Sequence, residues 1–505
     1  MPTRLLYAVS GILATLVGVA AGHLVAALLN PDSSPVLAVG STVIDLTPTP
    51  MKEWAIRQFG SNDKPILIGS VMGGVLVLAA VAGLLARRRF RDGAAMLVVL
   101  VAIAGTSAII RPAAEVVDVV PGLASALVAV AALWWLDRSL RRTPALPAGE
   151  STGASRRGVL VAMGALGVGA ALMGGAGRWI GTLRSRIKDV AFPAPASAAD
   201  PLPAGLEQRF AGITPFRVSN ADFYRVDTRL DTPIVDIDDW TLTIDGDVDE
   251  ELTFTFDELL EMPLIERDIT LTCVSNSVGG EYVGGARWIG VRLTDLLDRA
   301  GIGTGADQIL STDFDGMKIS TPLDLATDGR DAMIALGMNG EALPRAHGYP
   351  ARLVVPGLYG FIGATKWLTR LTLTTYADEQ AYWTDRDWAT DAPIKPSARI
   401  DTPQSLAEVE AGRTVIGGVA WAQNDGGVTK VQVKVDGGAW QDATLGPDAG
   451  SSYWRQWYFE WDAPQGQHNV AARVVDAEGD VQTDVRAEPF PEGSSGIHTL
   501  ILRVV

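Results

Sequence analysis

Cysteine is all but missing from this chain, with Cys273 the single example among 505 residues. One thiol excludes an intramolecular disulfide framework, CxxC zinc sites, cysteine-held iron–sulfur clusters and a CxxCH haem attachment, because each needs at least two. Histidine is scarce too, at four. Only His23 lies in a long apolar stretch, whereas a membrane b-type haem usually takes two axial ligands from facing helices. Basic residues are also in deficit, 42 Lys and Arg against 58 Asp and Glu, for a net charge of −16. The deficit is uneven: residues 1–190 hold 18 basic against 10 acidic side chains, and residues 191–505 hold 24 against 48. A part carrying −24 cannot grip nucleic acid by neutralising phosphates, so nucleic acid is excluded as a partner.

Apolar residues, by contrast, are abundant: 48% of the chain, with a mean hydropathy of +0.19. They concentrate in residues 1–190, which read as a membrane region. Five stretches, 5–29, 66–86, 93–110, 119–136 and 158–176, approach or reach the roughly 20 helical residues that span a hydrocarbon core. The short connection 111–118, with Pro112 and two acids, suits a tight turn between the third and fourth spans. Arg87, Arg88, Arg89 and Arg91 follow the second span, and Arg138, Arg141, Arg142, Arg156 and Arg157 separate the fourth from the fifth. Short cytoplasmic loops are enriched in Lys and Arg, which places the N-terminus inside and everything beyond the fifth span outside. His23 falls near the outer end of its span, within reach of the interface. The SRRGVL run at 155–160 resembles a twin-arginine export signal set internally; obedience to the positive-inside rule accounts equally well for Arg156 and Arg157.

Residues 191–209 form a Pro/Ala-rich linker, too poor in large apolar groups to pack. From Asp239 short β-type runs such as WTLTIDG and DITLTCV alternate with helical ones such as VRLTDLLDRAG, an α+β pattern over 210–393. A further shift near 394 opens a region of regularly spaced alternating strands with Gly/Asp turns, the signature of an immunoglobulin-type β-sandwich over 394–505. The expected fold is therefore multi-domain: an N-terminal α-helical membrane region, an α+β domain and a C-terminal sandwich.

Cys273 stands at the end of a strand, before the polar turn VSNSVGG. A lone cysteine there is a nucleophile, a single thiolate ligand to a soft metal, or an inert core hydrophobe. A nucleophile needs a nearby base, and no Cys–His spacing singles out a pair among His347, His468 and His498. A single thiolate suits a metal held mainly by an organic cofactor.

Residues 210–505 resemble the sulfite oxidase fold of molybdopterin-dependent oxidoreductases. The resemblance rests on Ile213-Thr-Pro215 with the run from Asn220 to Asp227, on Cys273, on GGARWIG at 284–290, and on MNGEALPRAHGYPARLVVPG from Met338 through Lys366-Trp367. The sandwich, with Tyr453, Trp454 and Trp457 and the final Gly-Ile-His498, is similar to the family's C-terminal dimerisation domain, and membrane-anchored bacterial members match best in layout.

The resemblance implies a molybdenum–molybdopterin cofactor with Cys273 as the metal's thiolate ligand and as a catalytic residue. It implies that His347, Arg352 and Lys366 hold the pterin and its phosphate, with Asn220, Phe223, Tyr224 and Arg225 along the other edge. Asp313 is expected to accept hydrogen bonds from the pterin ring, and Arg225 and Trp288 to face the substrate, with core packing the alternative for Trp288. Implied partners are a small-molecule substrate, the membrane, and a separate electron carrier, quinone or redox protein; the sandwich implies a homodimer. One departure stands out: where sulfite oxidases carry arginines just after the cysteine, this chain has Ser275, Asn276, Ser277 and Val278. Such a pocket is a poor trap for a dianion, so the expected chemistry is two-electron oxygen-atom transfer on a substrate other than sulfite. The competing reading is a non-catalytic surface binding or assembly protein built on the same fold.

Overall fold

The computed structural model describes residues 3–48, 51, 54, 58–59, 63–111, 114–141 and 153–505. Pro112 and Arg142 therefore lie outside the described residues. The chain divides into two compact units, Met1–Arg186 with Thr228–Ile234, and Ile187–Asp227 with Val235–Val505.

The first unit contains α1 (Thr3–Leu28), α2 (Pro35–Leu46), α3 (Asp63–Arg88), α4 (Phe90–Ile109), α5 (Val120–Arg141) and α6 (Gly153–Arg184). All but α2 are long and apolar enough to cross a membrane. The 12-residue α2 was not foreseen, because its apolar run is too short to register as a span. Close approach of helix backbones depends on small residues at the crossing. Accordingly Gly11 of α1 meets the backbone of Gly83 on α3, and Gly18 meets Ser125 and Ala129 on α5. Buried carboxylates tie the helix ends. Asp137 accepts from the Tyr7 hydroxyl at 3.2 Å and pairs with Arg141 at 2.8 Å. Asp118 accepts from Asn30 Nδ2 at 3.0 Å and Arg111 Nη2 at 2.9 Å.

The second unit begins with β1 (Thr241–Gly246), β2 (Leu252–Thr255), β3 (Leu264–Thr272), β4 (Val283–Arg292), β5 (Gln308–Asp313), β6 (Lys318–Pro322), β7 (Met333–Met338), β8 (Glu341–Ala342), β9 (Arg352–Val354) and β10 (Leu368–Thr374). They make two sheets, β2-β1-β10-β5-β6 and β3-β4-β7-β8, with β9 on β7. A sandwich follows, from β11 (Ser397–Thr402), β12 (Glu408–Val409), β13 (Gly412–Trp421), β14 (Val428–Val435), β15 (Gln441–Asp442), β16 (Thr444–Leu445), β17 (Arg455–Ala463), β18 (Gly466–Asp476) and β19 (His498–Val504). Its sheets are β11-β13-β17-β16 and β12-β19-β18-β14-β15. Alternation drives it: along β14 Val431 and Val433 enter the core while Lys430 faces solvent.

One sequence expectation needs correction. Residues 191–209 are no free tether: Ser197 bridges to Ile265 on β3, Phe192 reaches Gly337, and Leu202 packs on the core. Unpaired backbone on an edge strand and two large apolar side chains suffice to dock a Pro/Ala segment. The α+β part and the sandwich pack closely, since Ile394, Val419, Trp421, Tyr453 and Trp454 belong to the same core as β3 and β4. The Tyr453 hydroxyl and Trp454 Nε1 both donate to the Phe216 carbonyl, at 2.7 and 2.8 Å. The Gln423 amide donates to Thr270 O on β3 at 2.8 Å, so the sandwich is fastened to the strand that leads into Cys273.

Trp454 is 1% exposed, and truncating a buried aromatic of this size typically costs about 3–5 kcal/mol. Trp454→Ala is expected to lower stability by that amount. Trp454→Phe, which leaves Tyr453 on the shared carbonyl, should cost about 1–2 kcal/mol. Thermal unfolding of the detergent-purified chain, followed by near-ultraviolet circular dichroism, measures both.

Candidate cofactor-binding site

β3 is buried almost throughout its second half, and the chain leaves it at Cys273. The Cys273 N–H donates to Tyr282 O at 2.9 Å and the Asn276 side-chain carbonyl accepts from Tyr282 N at 2.9 Å, closing the loop between β3 and β4. The Ser275 N–H points at Cys273 Sγ, 3.4 Å away. Burial pushes the thiol pKa up, opposed by that N–H and by the positive charge of Lys366.

The MNGEALPRAHGYPAR block builds the opposite wall. His347 closes a single helical turn, Arg345–His347, and Gly348 then takes φ +112°. A Cβ at Gly348 would lie 3.0 Å from Arg352 Cβ and 3.2 Å from Lys366 Cα, so glycine is what lets these two residues converge. Arg352, on β9, donates through Nη1 to His347 O at 3.1 Å and through Nη2 to Ala364 O at 3.2 Å. Its guanidinium lies over the Trp288 ring, 5.1 Å from the centroid. Its Nε is buried with no hydrogen-bond partner, and among the described residues no carboxylate pairs with it. Burial lowers the Arg352 pKa to about 10. Burial also pulls Lys366 down to about 8, although Asp227 accepts from its Nζ at 2.8 Å. His347 falls to about 4, mainly through burial and then through repulsion by Arg352, and its neutral ring donates from Nε2 to Asn220 O at 3.0 Å.

The segment around Asn220 completes the pocket. Asn220 is held through Asn339 Nδ2 at 2.8 Å, and Phe223 and Tyr224 stack at 5.1 Å. Tyr224 is half-buried, its hydroxyl within electrostatic reach of Cys273 and Arg352, and desolvation pushes that hydroxyl's pKa far up. Arg225 Nε donates to Asp227 at 2.7 Å. The structure thus gathers Asn220, Phe223, Tyr224, Arg225, His347, Arg352 and Lys366 into one cluster, with Tyr224 and Lys366 within electrostatic reach of Cys273.

One expectation resolves toward its alternative. Trp288 packs in the core: it is 0% exposed, its Nε1 donates to Ile269 O at 3.2 Å, and it serves as the floor beneath Arg352. Asp313, paired with Leu368 across β5 and β10, accepts on Oδ1 from the Asp315 and Met317 N–H groups at 2.9 and 3.0 Å and so caps the β5–β6 turn. Sequence reasoning assigned no role to Asp227, the carboxylate shared by Arg225 and Lys366, although its i+2 spacing from Arg225 was a usable signal. Tyr359, pushed up to about 12 by burial with Cys273 close by, carried no signal at all.

A candidate thiolate ligand lies near Lys366, which shares one carboxylate with Arg225, and in the same cluster the buried Arg352 has no carboxylate partner among the described residues. A phosphate-bearing organic cofactor with a soft metal answers both demands, phosphate for the guanidinium and ammonium, and the metal for sulfur. The comparisons agree. Residues 229–383 match the oxidoreductase molybdopterin binding domain, and residues 396–472 match a bacterial Ig domain. Mitochondrial sulfite oxidase of Mus musculus is 31% identical over 340 residues, covering 57% of this chain and 60% of that protein. Nitrate reductase [NADH] 2 of Nicotiana tabacum is 28% identical, covering 44% of this chain and 30% of the other. The sulfane dehydrogenase SoxCD structure from Paracoccus pantotrophus superposes with a TM-score of 0.50 at 26% identity, covering 57% of this chain and 81% of that one. The chain thus spans about three-fifths of the length of the sulfite oxidases it matches. It carries a molybdopterin-binding oxidoreductase domain joined to an immunoglobulin-like sandwich. That domain has a sulfite oxidase-like structure.

Two outcomes follow from the cations. A buried charge without a counter-charge destabilises the empty domain, so Arg352→Met should raise the stability of cofactor-free protein by about 1–3 kcal/mol while abolishing pterin retention. Thermal shift and fluorescence of the oxidised pterin measure the two effects. His347 favours the neutral form when folded, so its contribution is fully present above pH 6.5 and is lost as pH falls toward about 4. The slope over that window is up to about 1.4 kcal/mol per pH unit, and thermal midpoints of cofactor-free His347→Gln across it should follow a flatter curve.

Proposed function

We propose that this protein is a membrane-anchored, extracytoplasmic molybdenum-cofactor oxidoreductase performing two-electron oxygen-atom transfer on a substrate other than sulfite. The observation that carries the reading is the buried Arg352, its Nε unpartnered, converging with Lys366 and His347 beside the chain's only cysteine. When bound, the cofactor supplies the redox and oxygen-transfer chemistry. The protein's own residues hold and poise it. Cys273 would ligate the metal, its thiolate favoured by the Ser275 N–H and by Lys366. His347, Arg352 and Lys366 would take the pterin and its phosphate, with Asn220, Phe223, Tyr224 and Arg225 along the other edge.

Charge supports a neutral or weakly charged substrate. The loop after Cys273 offers no cation, and Arg225 and Lys366 are both engaged by Asp227. The relatives, named for sulfite, nitrate and sulfane chemistry, differ in substrate, so the fold alone does not select one. Sidedness rests on the arginines at the α3–α4 junction and between α5 and α6, which the positive-inside rule assigns to the cytoplasm. Arg156-Arg157 then suits export of the domain already folded around its cofactor. Electrons pass to or from a separate carrier, a quinone or a redox protein, and the helices anchor the enzyme.

Mass spectrometry of metal in detergent-purified protein, from a host that makes and exports the cofactor, tests this reading. Wild type should contain near-stoichiometric molybdenum and pterin, and Cys273→Ser should alter the molybdenum spectrum. Protein with neither molybdenum nor pterin would overturn the enzyme reading in favour of a binding or assembly protein.

A further inference from the structure

Three residues of the sandwich reach the loop that follows Cys273, one from β11 and two from the segment that leads into and opens β19. Arg399, on β11, donates from Nη1 to Gly280 O at 3.1 Å. It is fixed there by Asp401 at 2.6 Å and by Thr214 Oγ1 at 2.7 Å. Ser494, in the segment before β19, donates from Oγ to Asn276 O at 2.6 Å. His498, which opens β19, accepts the Ile400 N–H on Nδ1 at 3.0 Å, so its neutral ring carries the proton on Nε2. That Nε2 edge lies against Gly279, which has φ +81°; a Cβ there would run into the imidazole. Burial and the neighbouring Arg399 keep the imidazole neutral. The loop is thereby held at 276, 279 and 280. The same loop supplies the Ser275 N–H to Cys273 Sγ and the Asn276 carbonyl that receives Tyr282 N.

We infer that Arg399, Ser494 and His498 are positioning residues of the sandwich that fix the 274–280 loop and, through it, the metal-binding sulfur of Cys273. The inference rests on the reading of Cys273 as the molybdenum ligand. It changes the part the sandwich plays: beyond any role as an interface, it completes the wall of the reactive site. Two observations favour positioning over ordinary packing. The contacts converge on one short loop from β11 and from the segment that leads into β19, and two of the three are hydrogen bonds from side chains to loop carbonyls, which fix direction as well as distance.

The single cysteine makes the test direct. Ser494→Ala removes one tie. His498→Asn keeps an acceptor near Nδ1 for Ile400 but withdraws the edge from Gly279, leaving the β11 contact in place. In the full-length, cofactor-free protein, the double variant should be alkylated by iodoacetamide at Cys273 at least about tenfold faster than wild type, with matching faster amide exchange across 274–280. Ser494→Thr, which retains the hydroxyl, should react like wild type. In the cofactor-loaded protein, the double variant should keep its molybdenum and pterin content while its Mo(V) paramagnetic resonance shifts. Unchanged alkylation and exchange would overturn the clamp. Faster exchange with an unchanged Mo(V) signal would overturn the claim that the clamp positions the sulfur. A wild type that binds no molybdenum would instead sink the cofactor reading, whatever the alkylation rates show.

Discussion

A guanidinium buried against backbone carbonyls and an indole ring, with no carboxylate among the described residues to answer it, is the constraint around which the catalytic domain is arranged. Asp227 satisfies Arg225 and Lys366 but leaves Arg352 with His347 O and Ala364 O alone. Withdrawing such a charge from water costs several kcal/mol even after relaxation. The surrounding elements carry that cost through the apolar burial of β3, β4 and β7. Arg352 repays part of it as a brace, because its two carbonyl bonds tie the 347 turn to the 364 bend and set where Lys366 emerges. Gly348 is indispensable to the same arrangement, since a side chain there would separate the two cations.

The layout of the chain was legible where a pattern repeats over many residues. The five helices long and apolar enough to cross a membrane follow from long apolar runs, and the sandwich from period-two alternation such as that of Val431 and Val433 in β14. The site was legible through residues whose chemistry has few other uses in such a context: Cys273 before a polar turn, and His347 and Arg352 inside a Gly/Pro-rich block. What failed was direction. A tryptophan after GGAR reads the same whether it faces a pocket or a core, and Trp288 faces the core because its N–H finds Ile269 O. The docking of residues 191–209 and the grip of Arg399, Ser494 and His498 on the Cys273 loop depend on contacts between segments far apart in sequence, which no local pattern encodes. Asp313 shows a milder form of the same limit: an acid opening a tight turn often spends an oxygen on the turn itself.

Fastening the sandwich to β3 has a consequence for assembly. Thr270 N donates to Ser452 O at 2.9 Å, Gln423 reaches Thr270 O, and Trp454 N donates to the Thr270 hydroxyl at 2.9 Å, all within a few residues of Cys273. The sulfur itself belongs to a residue only 8% exposed. Burial favours the protonated thiol, so binding a metal there releases a proton and gains most when the surrounding loop closes in the same event. A cysteine enclosed by its own strand, the loop behind it and a second domain meets its metal most readily before those parts lock together. On the proposed reading, that ordering places cofactor insertion early, in the compartment where the cofactor is made, with transfer across the membrane only after the sandwich has closed over the loop.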